Sequence, residues 1–164
     1  MRTAAKRGTA VHQLVEDYLN NDELSNQDVL PTALFTILKP ELDNISNIRL
    51  QEGGLYSDSY GVAGRVDCIA DYKGELSVID FKTANKERQE SWIDNYFMQC
   101  TAYAIMYEEI FGTPIEQIVI MLASEDGTSQ IFVKERKDYD KDLIKAIDGF
   151  YKYYEEKTKG TIKS

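Results

Sequence analysis

Two short β-prone runs joined by a tight turn constrain this chain more than any other feature. Gly64-Arg65-Val66-Asp67 lies in the first run, Val78-Ile79-Asp80-Phe81-Lys82-Thr83 forms the second, and Lys73-Gly74 offers the turn between them. β-branched and aromatic residues dominate both, which favours strands. Strand periodicity of two then sets Val78, Asp80 and Lys82 on one face and Ile79 and Phe81 on the other. An acid and a lysine stand side by side among apolar neighbours, with a second acid on the adjacent strand. Half-burying such a set is costly unless the charges find partners. A structural Asp80–Lys82 ion pair on a solvated face would resolve the conflict. So would a divalent cation, because hard oxygen ligands attract Mg²⁺ and the ion relieves carboxylate repulsion. Spacing alone leaves both open.

The remaining elements follow from periodicity. Thr3 to about Asn21 reads as a helix with Val11, Leu14, Val15 and Tyr18 as its core stripe. Gly8, His12 and Glu16 recur every four residues on a neighbouring stripe, and a helical glycine suggests a close approach by another element or a ligand. The single histidine reads either as a core-edge residue or as a functional one. A second helix is expected from Leu30 or Pro31 to Leu38, ended by Pro40. Ile48–Tyr56 reads as the first strand, with Gly53-Gly54 and Ser57-Asp58-Ser59 as bends or a hairpin loop. Val62–Tyr72 and Glu75–Thr83 are the second and third strands.

Ala84–Asp94 is polar and weakly periodic, so it reads as a mobile loop. Ile93–Phe111 is a helix with Tyr96, Gln99, Tyr103, Met106 and Ile110 on one side, and Gly112-Thr113-Pro114 stops it. A glutamine in such a stripe wants partners. Ile118–Ala123 is a fully apolar strand suited to the middle of a covered sheet. A strand at Ser129–Val133, a basic patch at Lys134–Lys137 and a closing helix from Tyr139 to about Glu156 complete the chain, with 157–164 expected to fray. The order is helix, three strands, helix, strand, with an additional C-terminal strand and helix: an α/β fold on a mixed sheet, in one domain over 1–164.

Asp67 followed by Asp80-Phe81-Lys82 resembles the D…(D/E)-x-K signature of the PD-(D/E)XK nucleases, whose restriction-endonuclease-like core has the order αβββαβ. The likeness is to the RecB-like exonuclease branch, which adds an upstream helical histidine, here Gly8-x-x-x-His12, and a downstream Gln-x-x-x-Tyr, here Gln99 and Tyr103. It spans about residues 4 to 123, and Val66 stands where the superfamily name has proline. The resemblance implies that His12, Asp67 and Asp80 hold one or two Mg²⁺ or Mn²⁺ ions, with the Phe81 carbonyl as an extra ligand. It implies Lys82, Asp67 and Asp80 as catalytic residues and Gln99 and Tyr103 as DNA-positioning ones. Glu52 falls where the branch often carries a glutamate, and Glu16 is a further candidate.

Around that site, Arg65, Thr83, Lys86 and Arg88 are candidate DNA contacts, and Trp92 or Tyr96 could stack on a base or anchor the following helix. The expected activity is metal-dependent DNA exonuclease cleavage of single-stranded or end-bearing DNA, in repair, recombination or replication. The alternatives are a non-catalytic nucleic-acid- or protein-binding module and a structure-specific endonuclease.

Charge argues against an easy nucleic-acid partner. The net charge is −9, and phosphate backbones favour basic faces. Arg2, Lys6, Arg7, Arg65, Lys82, Lys86 and Arg88 nonetheless cluster about the motifs in sequence, so weak, salt-sensitive binding is expected. Cys68 and Cys100 fall inside predicted elements and read as buried reduced thiols. Two cysteines cannot build a four-cysteine iron–sulfur cluster. No apolar run approaches the roughly 20 residues of a membrane span and no signal-peptide core is present, so a bacterial or phage cytoplasmic protein is expected.

Overall fold

The computed structural model describes residues 2–25 and 28–152. Helices α1 (Arg2–Leu19) and α2 (Val29–Leu42) precede a meander of β1 (Ile45–Ser57), β2 (Val62–Tyr72) and β3 (Glu75–Ala84). A 3₁₀ turn (Glu90–Trp92) leads into α3 (Asp94–Phe111), which crosses back to β4 (Gln117–Ser124), and β5 (Ser129–Glu135) follows. A short helix α4 (Lys137–Asp140) and a helical stretch α5 over 143–152 end the described chain. The expected tail at 157–164 and the last residues of the expected closing helix, 153–156, lie outside the described residues.

The five strands are ordered β1-β2-β3-β4-β5, with only the β3–β4 pair parallel. Helix α3 supplies the crossover that a parallel pair requires. Lys73 (φ 51°) and Gly74 (φ 86°) form the two-residue loop between the paired residues Tyr72 and Glu75, as expected for a hairpin whose two loop residues are both left-handed. Val11, Leu14, Leu34 and Leu38 of α1 and α2 pack on Cys68, Ile79, Phe81, Val119 and Met121 on one face of the sheet. Phe97, Met106 and Phe150 pack on Val66, Val78, Ile118 and Ile120 on the other. Central strand β4 is buried from Ile118 to Ser124 because both faces are covered. Both cysteines are free and buried, and burial pushes the Cys68 thiol up to about 12.

Several expectations are corrected. Pro40 lies inside the last turn of α2 rather than ending it. Only one intrahelical bond is lost there, and the helix continues two residues to Leu42. Gly53 and Gly54 are not a bend: they lie within β1, opposite Val66 and Arg65. The loop after β3 is tied down, since the Glu87 and Arg88 amides donate to Asp126 and Gln130, and Gln130 donates back to the Arg88 carbonyl. The basic patch at Lys134–Lys137 is neutralised by Glu90, Glu108 and Glu135, which pair with Lys134, Arg136 and Lys137 at 2.8–2.9 Å. Among the described residues, no helix is long and apolar enough to cross a membrane.

Candidate active site at the fork between β2 and β3

The β2–β3 ladder closes at Cys68 opposite Ile79 and goes no further. Beyond it β2 stays with β1 and β3 stays with β4, so the strands part and leave backbone groups facing a gap. Asp67 fills that gap: its Oδ2 accepts the Phe81 backbone N–H at 2.9 Å. The next atom on that edge, the Phe81 carbonyl, lies 2.7 Å from His12 Nε2 of α1. Motif residues from three elements therefore meet where regular pairing ends.

Strand alternation breaks at the same point. Val66 and Ile69 belong to the α3-side core while Cys68 and Ala70 belong to the α1-side core, so Asp67 sits at an irregularity that turns it towards α1. On β1 the neighbours Gln51 and Gly53 pair with Cys68 and Val66, which sets Glu52 opposite Asp67. Glu52 has φ 48°, a left-handed conformation that costs a non-glycine residue roughly 1–3 kcal/mol. That distortion aims its carboxylate inward. Glu52 Oε1 lies 3.4 Å from His12 Nδ1 and its Oε2 accepts from Arg65 Nε at 3.1 Å.

On the α3 side, Asp80 and Lys82 share a face as two-residue spacing requires, with Lys82 Nζ 2.9 Å from Asp80 Oδ2. Both side chains are nearly buried, at 6% and 11% exposure. Asp80 and Asp67 also hydrogen-bond through their carboxyls. Two buried acids in contact cannot both ionise without a counter-charge. Burial and the Asp80 charge push Asp67 well above the usual carboxylate range. Burial also works against Asp80, but Lys82 and the Asp67 hydrogen bond outweigh it and lower its pKa. Of the two, Asp67 is the one disposed to hold a proton and Asp80 the one disposed to ionise.

His12 carries a second proton. Burial alone would lower its pKa, but Asp67, Glu52, Asp80 and the Phe81 carbonyl overcome this and raise it to about 9. For Glu52 burial is likewise outweighed, by His12 and Arg65, and its pKa falls. His12, Glu52 and Asp67 each offer a ligand atom, all within 4.8 Å of one another. Carboxylates are hard donors for divalent cations and an imidazole adds a softer one, and the raised pKa values of Asp67 and His12 mark where positive charge is wanted. The donor set fits a divalent cation, with Asp80 adjoining it.

Helix α3 lays Tyr96, Gln99 and Tyr103 at spacings of three and four against the same place. Gln99 is 2% exposed and donates to the Tyr103 hydroxyl at 3.2 Å, while its Oε1 has no partner among the described residues. Burial pushes the Tyr103 hydroxyl far up, so it stays a neutral donor. Gly64 makes room for Tyr103: a Cβ there would stand 2.9 Å from its ring and 2.7 Å from that of Phe150.

Other candidates are placed differently. Thr83 Oγ1 accepts from Arg7 Nε at 3.2 Å, and Arg7 also donates to Asn85 and pairs with Glu125, so this buried arginine fastens α1 to the end of β3 and to the β4–β5 turn. Gly8 shows no close approach by the protein, since a Cβ would meet only Thr83 Oγ1 at 3.8 Å. Glu16 acts through its backbone carbonyl, which accepts from Gln51; its carboxylate is outside the gathered ligand atoms. Lys86 and Arg88 are exposed, and Trp92, at 59% exposure, does not anchor α3 in the core.

Sequence reasoning left Glu52 as a marginal candidate because a left-handed kink within a strand leaves no periodic trace. The acid immediately before Gly53-Gly54 was the available signal. It gave no role to Arg7 beyond its charge.

Comparisons with known proteins bear on the family and the fold. The sequence profile of the PD-(D/E)XK nuclease superfamily matches residues 43–156. Mitochondrial genome maintenance exonuclease 1 from Homo sapiens is 26% identical over 129 residues, which cover 74% of this chain and 37% of that protein. Its Mus musculus counterpart is 27% identical over 128 residues, covering 74% and 38%. The chain therefore spans less than two-fifths of the length of these relatives. A crystal structure from Eubacterium rectale that carries an exonuclease designation superposes with a TM-score of 0.57 at 12% identity, over 87% of this chain and 62% of the other, which bears on the fold alone. With two-thirds of its length matched by the family profile, and with the signature residues gathered at one fork in the sheet, the chain belongs to the PD-(D/E)XK nuclease superfamily.

Proposed function

We propose that this chain is a divalent-metal-dependent DNA exonuclease, hydrolysing phosphodiester bonds of single-stranded or end-bearing DNA with Mg²⁺ or Mn²⁺, in repair, recombination or replication. The observation that carries the reading is the fork itself. Three acids, a histidine and a lysine converge where backbone pairing stops, and the raised pKa values of Asp67 and His12 show that this cluster favours added positive charge. The exonuclease component rests on the names of the relatives, which are longer than this chain.

His12, Glu52 and Asp67, with Asp80 and the Phe81 carbonyl beside them, would hold one or two ions. When bound, the cation lowers the pKa of water and offsets charge on the scissile phosphate. Asp67 and His12 must give up their protons first. Lys82, held by Asp80, would orient or deprotonate the attacking water and stabilise the developing negative charge. Gln99, whose buried Oε1 has no partner among the described residues, and Tyr103, a neutral donor, would position the strand, and Arg65 would exchange Glu52 for phosphate.

The test is degradation of end-labelled single-stranded DNA with Mg²⁺ or Mn²⁺, beside EDTA and Lys82→Ala controls. Metal-dependent loss in the parent alone supports the reading. Cleavage of circular single-stranded DNA would shift it to an endonuclease, because an exonuclease needs an end. The net charge of −9 favours a second reading, a non-catalytic binding module on the same fold. Intact DNA in every lane from a folded sample would establish that one.

A further inference from the structure

We infer that Tyr96 is a positioning residue for the Lys82 ammonium, an inference that rests on the nuclease reading above. Lys82 Nζ lies 4.5 Å from the centroid of the Tyr96 ring, within the range of attraction between a cation and the negative face of an aromatic ring. The same nitrogen lies 2.9 Å from Asp80 Oδ2. The two holds come from different elements, Asp80 from β3 itself and Tyr96 from the first turn of α3.

The division of labour follows from the chemistry of the two contacts. A lysine side chain has four rotatable bonds, and Asp80, two residues away on the same strand, holds it from one direction only. A ring face restricts its movement. It attracts the ammonium as a charge and does not consume a directional N–H, so the ring adds a restraint without taking up any of the donors. The ring is half-buried and packs against the α3-side core, and Tyr96 stands on the helix face that carries Gln99 and Tyr103. Stacking on a base, the role its sequence position suggested, would compete with Lys82 for that face.

The experiment compares the parent, Tyr96→Leu and Tyr96→Phe in steady-state cleavage of end-labelled DNA, with metal affinity and urea midpoints measured alongside. The Lys82 side-chain methylene shifts are followed by NMR, since a ring above the ammonium moves them upfield. Tyr96→Leu keeps apolar bulk but removes the ring. It should lower kcat roughly 3- to 30-fold, leave KM and metal affinity within about twofold of the parent, and abolish the upfield shift. Tyr96→Phe should restore most of kcat and keep the shift. A Leu variant with parental kcat, an equal loss in Leu and Phe, or methylene shifts indifferent to the ring would each overturn the inference. A parent that cleaves no nucleic acid would remove the nuclease reading and the catalytic role of the ring together. A cleaving parent with an unimpaired Leu variant would remove only the latter.

Discussion

At the scale of single residues, the site is a store of protons. His12 is raised to about 9 from the ordinary 6.5, so the stability it contributes without metal is fully present below pH 6.5 and lost as pH rises through 9. Asp67 acts in the same direction, because a raised carboxyl pKa disfavours the folded state once the pH exceeds the unfolded value of 3.8. Metal-free protein should therefore lose up to about 3 kcal/mol of stability between pH 6.5 and 9, seen as a falling thermal midpoint. Apparent affinity for Mn²⁺ should rise over the same window, because the ligands must be deprotonated. Calorimetry near pH 7 in buffers of different ionisation enthalpy should show proton release. Binding without proton exchange would refute the assigned protonation states. Lys82→Ala should lose roughly 10²–10⁴-fold in cleavage rate while keeping Mn²⁺ affinity, whereas Glu52→Gln should weaken the metal first. The Asp80–Lys82 pairing was readable from strand alternation. His12, its only histidine, was ambiguous until the motif order was considered, and Glu52 was obscured because its left-handed kink breaks that alternation.

At the scale of elements, two glycines with the same local cost have opposite roles. Gly64 lies under two rings, and a Cβ would overlap Phe150 at 2.7 Å and Tyr103 at 2.9 Å. Gly64→Ala should destabilise by about 1–3 kcal/mol, lowering the urea midpoint at constant slope. Its cleavage should fall as well, since the displaced ring is the partner of Gln99. A Cβ at Gly8 would make only an ordinary contact, with Thr83 Oγ1 at 3.8 Å, so Gly8→Ala in α1 should stabilise by roughly 0.5–1 kcal/mol. If substrate runs past α1 at that point, the same variant will be more stable and less active; unchanged cleavage would show that the helix glycine serves no substrate approach. The elements themselves were legible because β2 and α3 carry strong periodicity and the Lys73-Gly74 turn is chemically explicit. Pro40 and Gly53-Gly54 misled because tertiary packing overrode local breakers. α2 buries Leu38 and Leu42 on either side of its proline, and both glycines are held in the ladder to β2.

At the scale of the whole molecule, the net charge of −9 turns on where the positive charges are committed. Several of the basic groups that cluster about the motifs in sequence are occupied: Arg7 by Glu125, Arg65 by Glu52 and Lys82 by Asp80. Lys6, Lys86 and Arg88 are exposed. Sequence proximity counts all of these alike; strand alternation reveals the Asp80–Lys82 pair, whereas the Arg7–Glu125 and Arg65–Glu52 pairs join different elements and depend on the fold. Binding of a single strand by two or three phosphate contacts predicts a shallow salt dependence, with log K falling against log salt at a slope of about −1.5 to −2, since each contact contributes roughly −0.7. Measured by fluorescence anisotropy with the Lys82→Ala protein, Lys86→Ala and Arg88→Ala should each flatten that slope by close to one contact. The double variant should leave an affinity carried mainly by the metal and by α3. A steep slope that neither variant changes would mean that the strand follows another face of the molecule, and the loop after β3 would lose its place on the substrate path.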